Sequence, residues 1–237
     1  MLLVVIAALI GGSIAAIAGF GIGSILTPAL STQVPATVAV AAVSIPHFAA
    51  TALRLWMLRR HIDLQLLKSF GLMSAIGGLA GAALGSFATS RALEITLAML
   101  LLFVGMGNLL GITKRMKFTG PWAWIAGTIS GFLGGLVGNQ GGLRAGAMTG
   151  LGVSRDAFVA TATATGLIVD AARMPVYFAA RWEQLLPLWP IILAMTAAAL
   201  VGTFLGTKLL RRIPEKQFMP VVAILLIALG IWLIAKP

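Results

Sequence analysis

Apolar residues run along this chain in blocks of about twenty or more, and no polar stretch between them is long enough for a soluble domain. The blocks cover 2–30, 36–58, 64–88, 92–111, 121–150, 155–179, 184–207 and 217–235. A helix rises about 1.5 Å per residue, so about twenty residues cross about 30 Å of hydrocarbon. The alternating segments of roughly ten residues that build membrane barrels are absent, which leaves helices as the expected spanning elements. Two blocks are interrupted by glycine. The first reads Ala18-Gly19-Phe20-Gly21-Ile22-Gly23 and continues to Thr27-Pro28; the second reads Gly134-Gly135-Leu136-Val137-Gly138-Asn139-Gln140-Gly141-Gly142 and continues to Arg144. Glycine exposes backbone that side chains would otherwise cover, and paired breaks of this kind mark ion-binding sites in transporters built from repeats.

The two breaks belong to a longer repeat. At an offset of 119, Val34 meets Val153, Arg54 meets Arg173 and Leu66-Leu67 meets Leu185-Leu186; at 121, Gly81 meets Gly202, Gly85 meets Gly206, and Arg91 and Glu94 meet Arg212 and Glu215. Matches at Arg, Glu and Gly exceed what shared apolar composition supplies, so the reading is two repeats, 1–118 and 119–237.

Composition agrees with this picture: 59% of residues are hydrophobic, 10% are charged, and the mean hydropathy is +1.03. The net charge of +11 reads as membrane topology rather than nucleic-acid binding, because the basic residues gather at helix ends. Setting aside Arg54, Arg144 and Arg173, fourteen Lys and Arg remain. Eight full crossings divide them eight to six, whereas a second break that dips in and returns divides them eleven to three. The larger group includes Arg59, Arg60, Lys68, Arg155 and Lys208, and is expected in the cytoplasm. Duplication extends the same behaviour to the first break. The fold expected is an all-α polytopic membrane protein of two inverted repeats, each with a glycine-broken, re-entrant segment and three further membrane helices. Ala16-Ile17-Ala18 resembles a signal-cleavage site, but no basic residue precedes the apolar run, so the segment is read as retained. Cysteine is absent, which excludes disulfides and thiolate chemistry.

Polar residues inside the predicted helices form two matching stripes. Ser44, His47, Thr51 and Arg54 are spaced by three, four and three, so they share one helix face; their repeat partners are Thr163, Gly166, Asp170 and Arg173. Such a face turns toward the bundle interior. Glycine-exposed N–H groups, a helix N-terminus and the planar Arg fork all favour an oxyanion. The expected substrate contacts are Gly21, Gly23, His47, Arg54, Asn139, Gln140, Gly141, Arg144 and Arg173, with backbone from 19–24 and 138–143. Asp170, the one acidic residue deep in a predicted membrane helix, is the candidate for proton coupling, through competition between it and the anion for Arg173.

The stretch Gly19-Phe20-Gly21-Ile22-Gly23 with Thr27-Pro28-Ala29-Leu30 resembles the glycine-rich signature that opens each half of the TauE/SafE family of sulfite exporters and organosulfonate permeases. Gly138-Asn139-Gln140-Gly141-Gly142 is similar to the partner signature, though Asn139 and Gln140 interrupt its glycine run and Ala147 stands where the first half has Pro28. The resemblance covers essentially the whole chain. It implies a secondary transporter of small sulfur-containing anions (sulfite, thiosulfate or an organosulfonate) in the bacterial inner membrane, multi-pass. An anion channel or a carboxylate carrier stays open on the residues alone. The chain carries no H-E-x-x-H or G-x-S-x-G signal, so it is not read as an enzyme, and no metal or cofactor is expected. Expected partners are the small anion and membrane lipid, not nucleic acid, with a homodimer allowed.

Overall fold

A computed structural model describes residues 1–112, 121–138, 144, 155–209 and 215–236, and all regular elements among them are helices. They are α1 (Leu2–Ala18), α2 (Ile22–Leu30), α3 (Ala36–Leu58), α4 (Leu64–Phe87), α5 (Ser90–Leu109), α6 (Pro121–Val137), α7 (Arg155–Leu185), α8 (Trp189–Leu209) and α9 (Glu215–Ala235). The stretches Ala36–His61, Leu64–Phe87, Ser90–Leu109 and Ala157–Lys208 are long and apolar enough to cross a membrane, the last containing α7 and α8; Leu2–Ala18, Pro121–Val137 and Pro220–Ala235 are shorter apolar helices.

Two boundaries differ from the apolar pattern. α7 continues past residue 179 to Leu185, because Pro175 sits inside it without ending it and the polar Arg181 and Gln184 extend it beyond the apolar stretch. The Leu186–Leu188 turn, with Pro187, then separates it from α8. α4 contains a π-helical turn over Leu67–Gly71.

α1 and α6 end in the same way. Gly19 takes φ 79° and Gly138 takes φ 73°, the left-handed conformation that a Cβ would strain. Their N–H groups donate to Ala15 O at 3.0 Å and Gly134 O at 2.9 Å. After Gly19 the chain turns back, and Gly21 and Ile22 lie against Ile14 and Gly11 of α1 as α2 begins. The two glycines stand 119 residues apart (138 − 19), as do their acceptors (134 − 15).

The packing is reciprocal between the halves. α1 lies on α8 and α6 on α4; α3 lies on α8 and α7 on α4; α3 and α7 meet at the centre, and α5 pairs with α9. Glycine permits the two closest contacts. A Cβ on Gly131 would lie 1.9 Å from Ser74 O and one on Gly81 2.0 Å from Phe132 O, so α6 and α4 touch backbone to backbone. Gly12 against Ala199 O (2.4 Å) and Gly202 against Leu9 O (2.1 Å) do the same for α1 and α8. Small residues at crossings are how helices associate when the surrounding solvent is as apolar as their side chains. Outward positions are correspondingly apolar, with Leu3, Ile6, Ile76, Met99, Ile129 and Leu193 all exposed. Trp122, Trp124 and Trp182 are exposed as well.

Candidate functional site

The stripes read from the sequence face each other across the α3–α7 contact. Arg54 Nε donates to Thr163 Oγ1 at 2.9 Å, and its Nη1 donates to Ala15 O. Arg173, its counterpart, donates from Nη1 to Gly134 O. Both guanidiniums therefore hold a carbonyl of the last turn of a broken helix, the carbonyl that also caps its glycine. The last carbonyls of a helix carry partial negative charge, and the second lone pair of each of these oxygens is open to a donor, so a buried cation there is stabilised. Arg54 and Arg173 are 3% and 1% exposed.

Asp170 joins the halves at the next turn of α7. Its Oδ1 accepts from Arg173 Nε at 3.0 Å and faces Nη2 at 2.7 Å, while its Oδ2 lies 2.5 Å from His47 Nδ1 on α3. The Tyr177 hydroxyl donates to Gly135 O, and its ring lies under Arg173, with Cζ 5.6 Å from the ring centroid. Asp170 is thus saturated by partners from both halves. Pairing of this kind is what keeps a fully buried carboxylate tolerable.

Arg144 lies in the same electrostatic neighbourhood as Arg54, Asp170 and Arg173, and is 2% exposed. Its guanidinium rests on the bare backbone of Gly166, where a Cβ would come within 3.0 Å of Nη1 and 3.3 Å of Nη2. Neither Nε nor Nη1 has a hydrogen-bond partner among the described residues. The hydroxyls of Thr27, Thr51 and Thr165, also buried, are unpartnered in the same sense. Among the described residues the buried charge of the cluster is unbalanced: Arg54, Arg144 and Arg173 against Asp170. Burying donors of a cation without acceptors is costly, and an oxyanion would supply both the acceptors and the missing charge.

The family model for sulfite exporter TauE/SafE matches residues 4–233 of the 237. The chain belongs to the TauE/SafE family. No curated protein and no solved structure matches it. TauE/SafE is a transporter family, and with the apolar helices this makes the chain a multi-pass membrane protein.

Within this TauE/SafE chain, the fold brings together His47, Arg54, Arg144, Asp170 and Arg173. Gly21 caps the start of α2 and Gly23 lies in its first turn, both buried. The two breaks approach one another, since a Cβ on Gly138 would lie 3.5 Å from Thr27 Oγ1 of α2 and 3.4 Å from Val40 of α3. Asn139, Gln140 and Gly141 lie outside the described residues. Sequence reasoning missed Tyr177 and the supporting role of Gly166. Tyr177 is the only tyrosine of the chain and sits one turn beyond Arg173, a spacing that could have flagged it. Gly166 was visible as the partner of His47, but only the fold reveals which guanidinium occupies the space a side chain would take.

Proposed function

We propose that this chain is a secondary transporter that moves a small sulfur-containing anion, such as sulfite, thiosulfate or an organosulfonate, across the bacterial inner membrane. The observation that carries this reading is Arg144: a buried guanidinium with two donor atoms unpartnered among the described residues, in a cluster where the described arginines outnumber the described carboxylate. Arg144 is the central anion contact, with Arg173 and His47 around it and the glycine-exposed backbone of both breaks completing the cradle. Arg54 mainly holds the end of α1 in place. Membership of the TauE/SafE family supports the substrate class.

In this reading 1–118 and 119–237 are inverted repeats, each opening on a re-entrant segment. The shared glycine caps 119 residues apart, the matched Arg-to-carbonyl bonds and the reciprocal helix packing support it. Anion arriving on Arg144 competes with Asp170 for Arg173. A proton taken up by the His47–Asp170 pair then compensates the charge Asp170 has lost, which couples anion movement to protons.

Thermal-shift titration of the purified protein with sulfite, thiosulfate, small sulfonates and small carboxylates tests the proposal, since a ligand of the folded state raises its stability. Arg144→Ala is expected to weaken sulfonate binding by about a hundredfold, or about 2.7 kcal/mol. Arg144→Lys, which keeps the charge but loses the fork, is expected to weaken it by about tenfold. Parental binding by both folded variants would place the site elsewhere.

A further inference from the structure

Two cavities that share lining residues lie at the end of the bundle that carries the start of α3 and the end of α7. The outer one, about 350 Å³, is lined by Val34, Thr37, Arg181 and Gln184 among others. The inner one holds only about 10 Å³ and shares Thr37 and Arg181 with it, adding Val40, Leu136 and Tyr177. A space of that size takes about one water molecule at most, so it is a constriction rather than a passage. Its inner wall is already part of the site. Tyr177 bonds Gly135 O and packs on Arg173, and Val40 lies against Gly138 at the second break.

The charge lining these spaces is one-sided. Arg181 is the only charged residue lining either cavity, and no carboxylate lines them among the described residues. Its Nη2 donates to Ser86 O at 3.1 Å, which holds the guanidinium at the junction of the two spaces. Glu183 follows two residues later, about 200° around α7, and lines neither cavity. A low-dielectric cleft with one sign of charge concentrates ions of the other sign.

We propose that the larger cavity is an anion-collecting vestibule with Arg181 as its anion contact, and that the constriction at Val40, Leu136 and Tyr177 is the closed gate between this vestibule and Arg144. The inference rests on the anion-transport reading and extends it. Tyr177 links gate and site: an anion that draws Arg173 away from its present place removes the cation packed on the Tyr177 ring and leaves that ring held by its bond to Gly135 O alone. Release or entry at this face then follows occupancy of the inner site.

The absence of cysteine permits a test that does not depend on transport. Thr37→Cys is reacted with two impermeant methanethiosulfonates, the anionic sulfonatoethyl and the cationic trimethylammonioethyl reagents. The expected result is that the anionic reagent reacts about fivefold faster than the cationic one, beyond their ratio for a free thiol. Arg181→Gln is expected to erase that preference, Arg181→Lys to restore most of it, and Arg144→Ala to leave it unchanged. Gln184→Cys serves where Thr37→Cys folds poorly. A ratio unaffected by Arg181→Gln, or cysteines at both positions that do not react, overturns the vestibule. An inert sulfonate such as isethionate separates the two readings in thermal-shift titration. Binding dependent on Arg144 without the Arg181 preference sinks the vestibule alone, and the Arg181 preference without any sulfonate, sulfite or thiosulfate binding sinks the transport reading.

Discussion

Replacing Gly166 by alanine is expected to strengthen the helix and weaken the anion site at once. The added Cβ would stand 3.0 Å from Arg144 Nη1, 3.3 Å from Nη2 and 3.5 Å from Cζ. Ordinary contact begins near 3.4–3.5 Å, so the guanidinium must retreat by about 0.4 Å. It can do so without breaking hydrogen bonds from Nε or Nη1, because those atoms have none among the described residues. The folded protein should therefore tolerate the change. Indeed Gly→Ala inside a helix contributes up to about 1 kcal/mol of stability. The fork fares worse, because a retreat of that size takes hydrogen bonds of about 2.9 Å to the edge of their useful range. Charge-assisted bonds contribute about 1.5–3 kcal/mol each, and losing roughly half of one weakens binding by about tenfold. Gly166→Val, with two more carbons against the fork, should weaken it by about a hundredfold or more. Isothermal titration with a stable sulfonate gives the affinities, and thermal unfolding without ligand gives the stability. Parental affinity in a Gly166→Ala protein of parental or greater stability would refute the reasoning, because it would mean that the position of the Arg144 fork does not set binding.

Further changes probe the Asp170 pairing and the helix packing around the site. Asp170→Asn leaves Arg173 without its counter-charge and His47 Nδ1 without its carboxylate partner, and should cost about 3–5 kcal/mol of stability. In reconstituted vesicles it should also abolish anion accumulation driven by an imposed pH gradient; accumulation at the parental rate would make Asp170 a counter-charge only. The double variant Asp170→Asn/Arg173→Gln should be less destabilised than the sum of its parts, and simple additivity in a thermal-unfolding cycle would contradict the pairing. Gly131→Ala places a Cβ 1.9 Å from Ser74 O, so α6 and α4 must separate and stability should fall by about 3 kcal/mol. Gly111→Ala has no atom of the described residues within 4 Å of the new Cβ and answers there only for its φ of 69°, so it should cost roughly 1 kcal/mol. Equal losses in the two variants would argue against close α4–α6 packing.

Much of this protein can be read along the chain because its solvent is apolar. Hydrocarbon leaves backbone groups no partner but the helix itself, so apolar runs of the right length announce helices and glycine runs announce their breaks. Gly19 and Gly138 end α1 and α6 where the repeated glycine runs place them, and the stripe from His47 to Arg54 faces its counterpart from Gly166 to Arg173. Equal spacing, however, did not give equal roles. Arg54 and Arg173 look alike in sequence, yet Arg54 meets a threonine hydroxyl on the facing helix α7, whereas Arg173 meets a carboxylate and a tyrosine ring of its own helix, where the first half has Thr51 and Leu58. Helical periodicity gives a residue its face; the packing of α3 on α7 decides what that face meets. Arg144 makes the difference plain. Its sequence position beyond a glycine break marked it as unusual, but only the approach of α7 with a bare Gly166 decides where its fork rests, with two of its donor atoms unpartnered among the described residues.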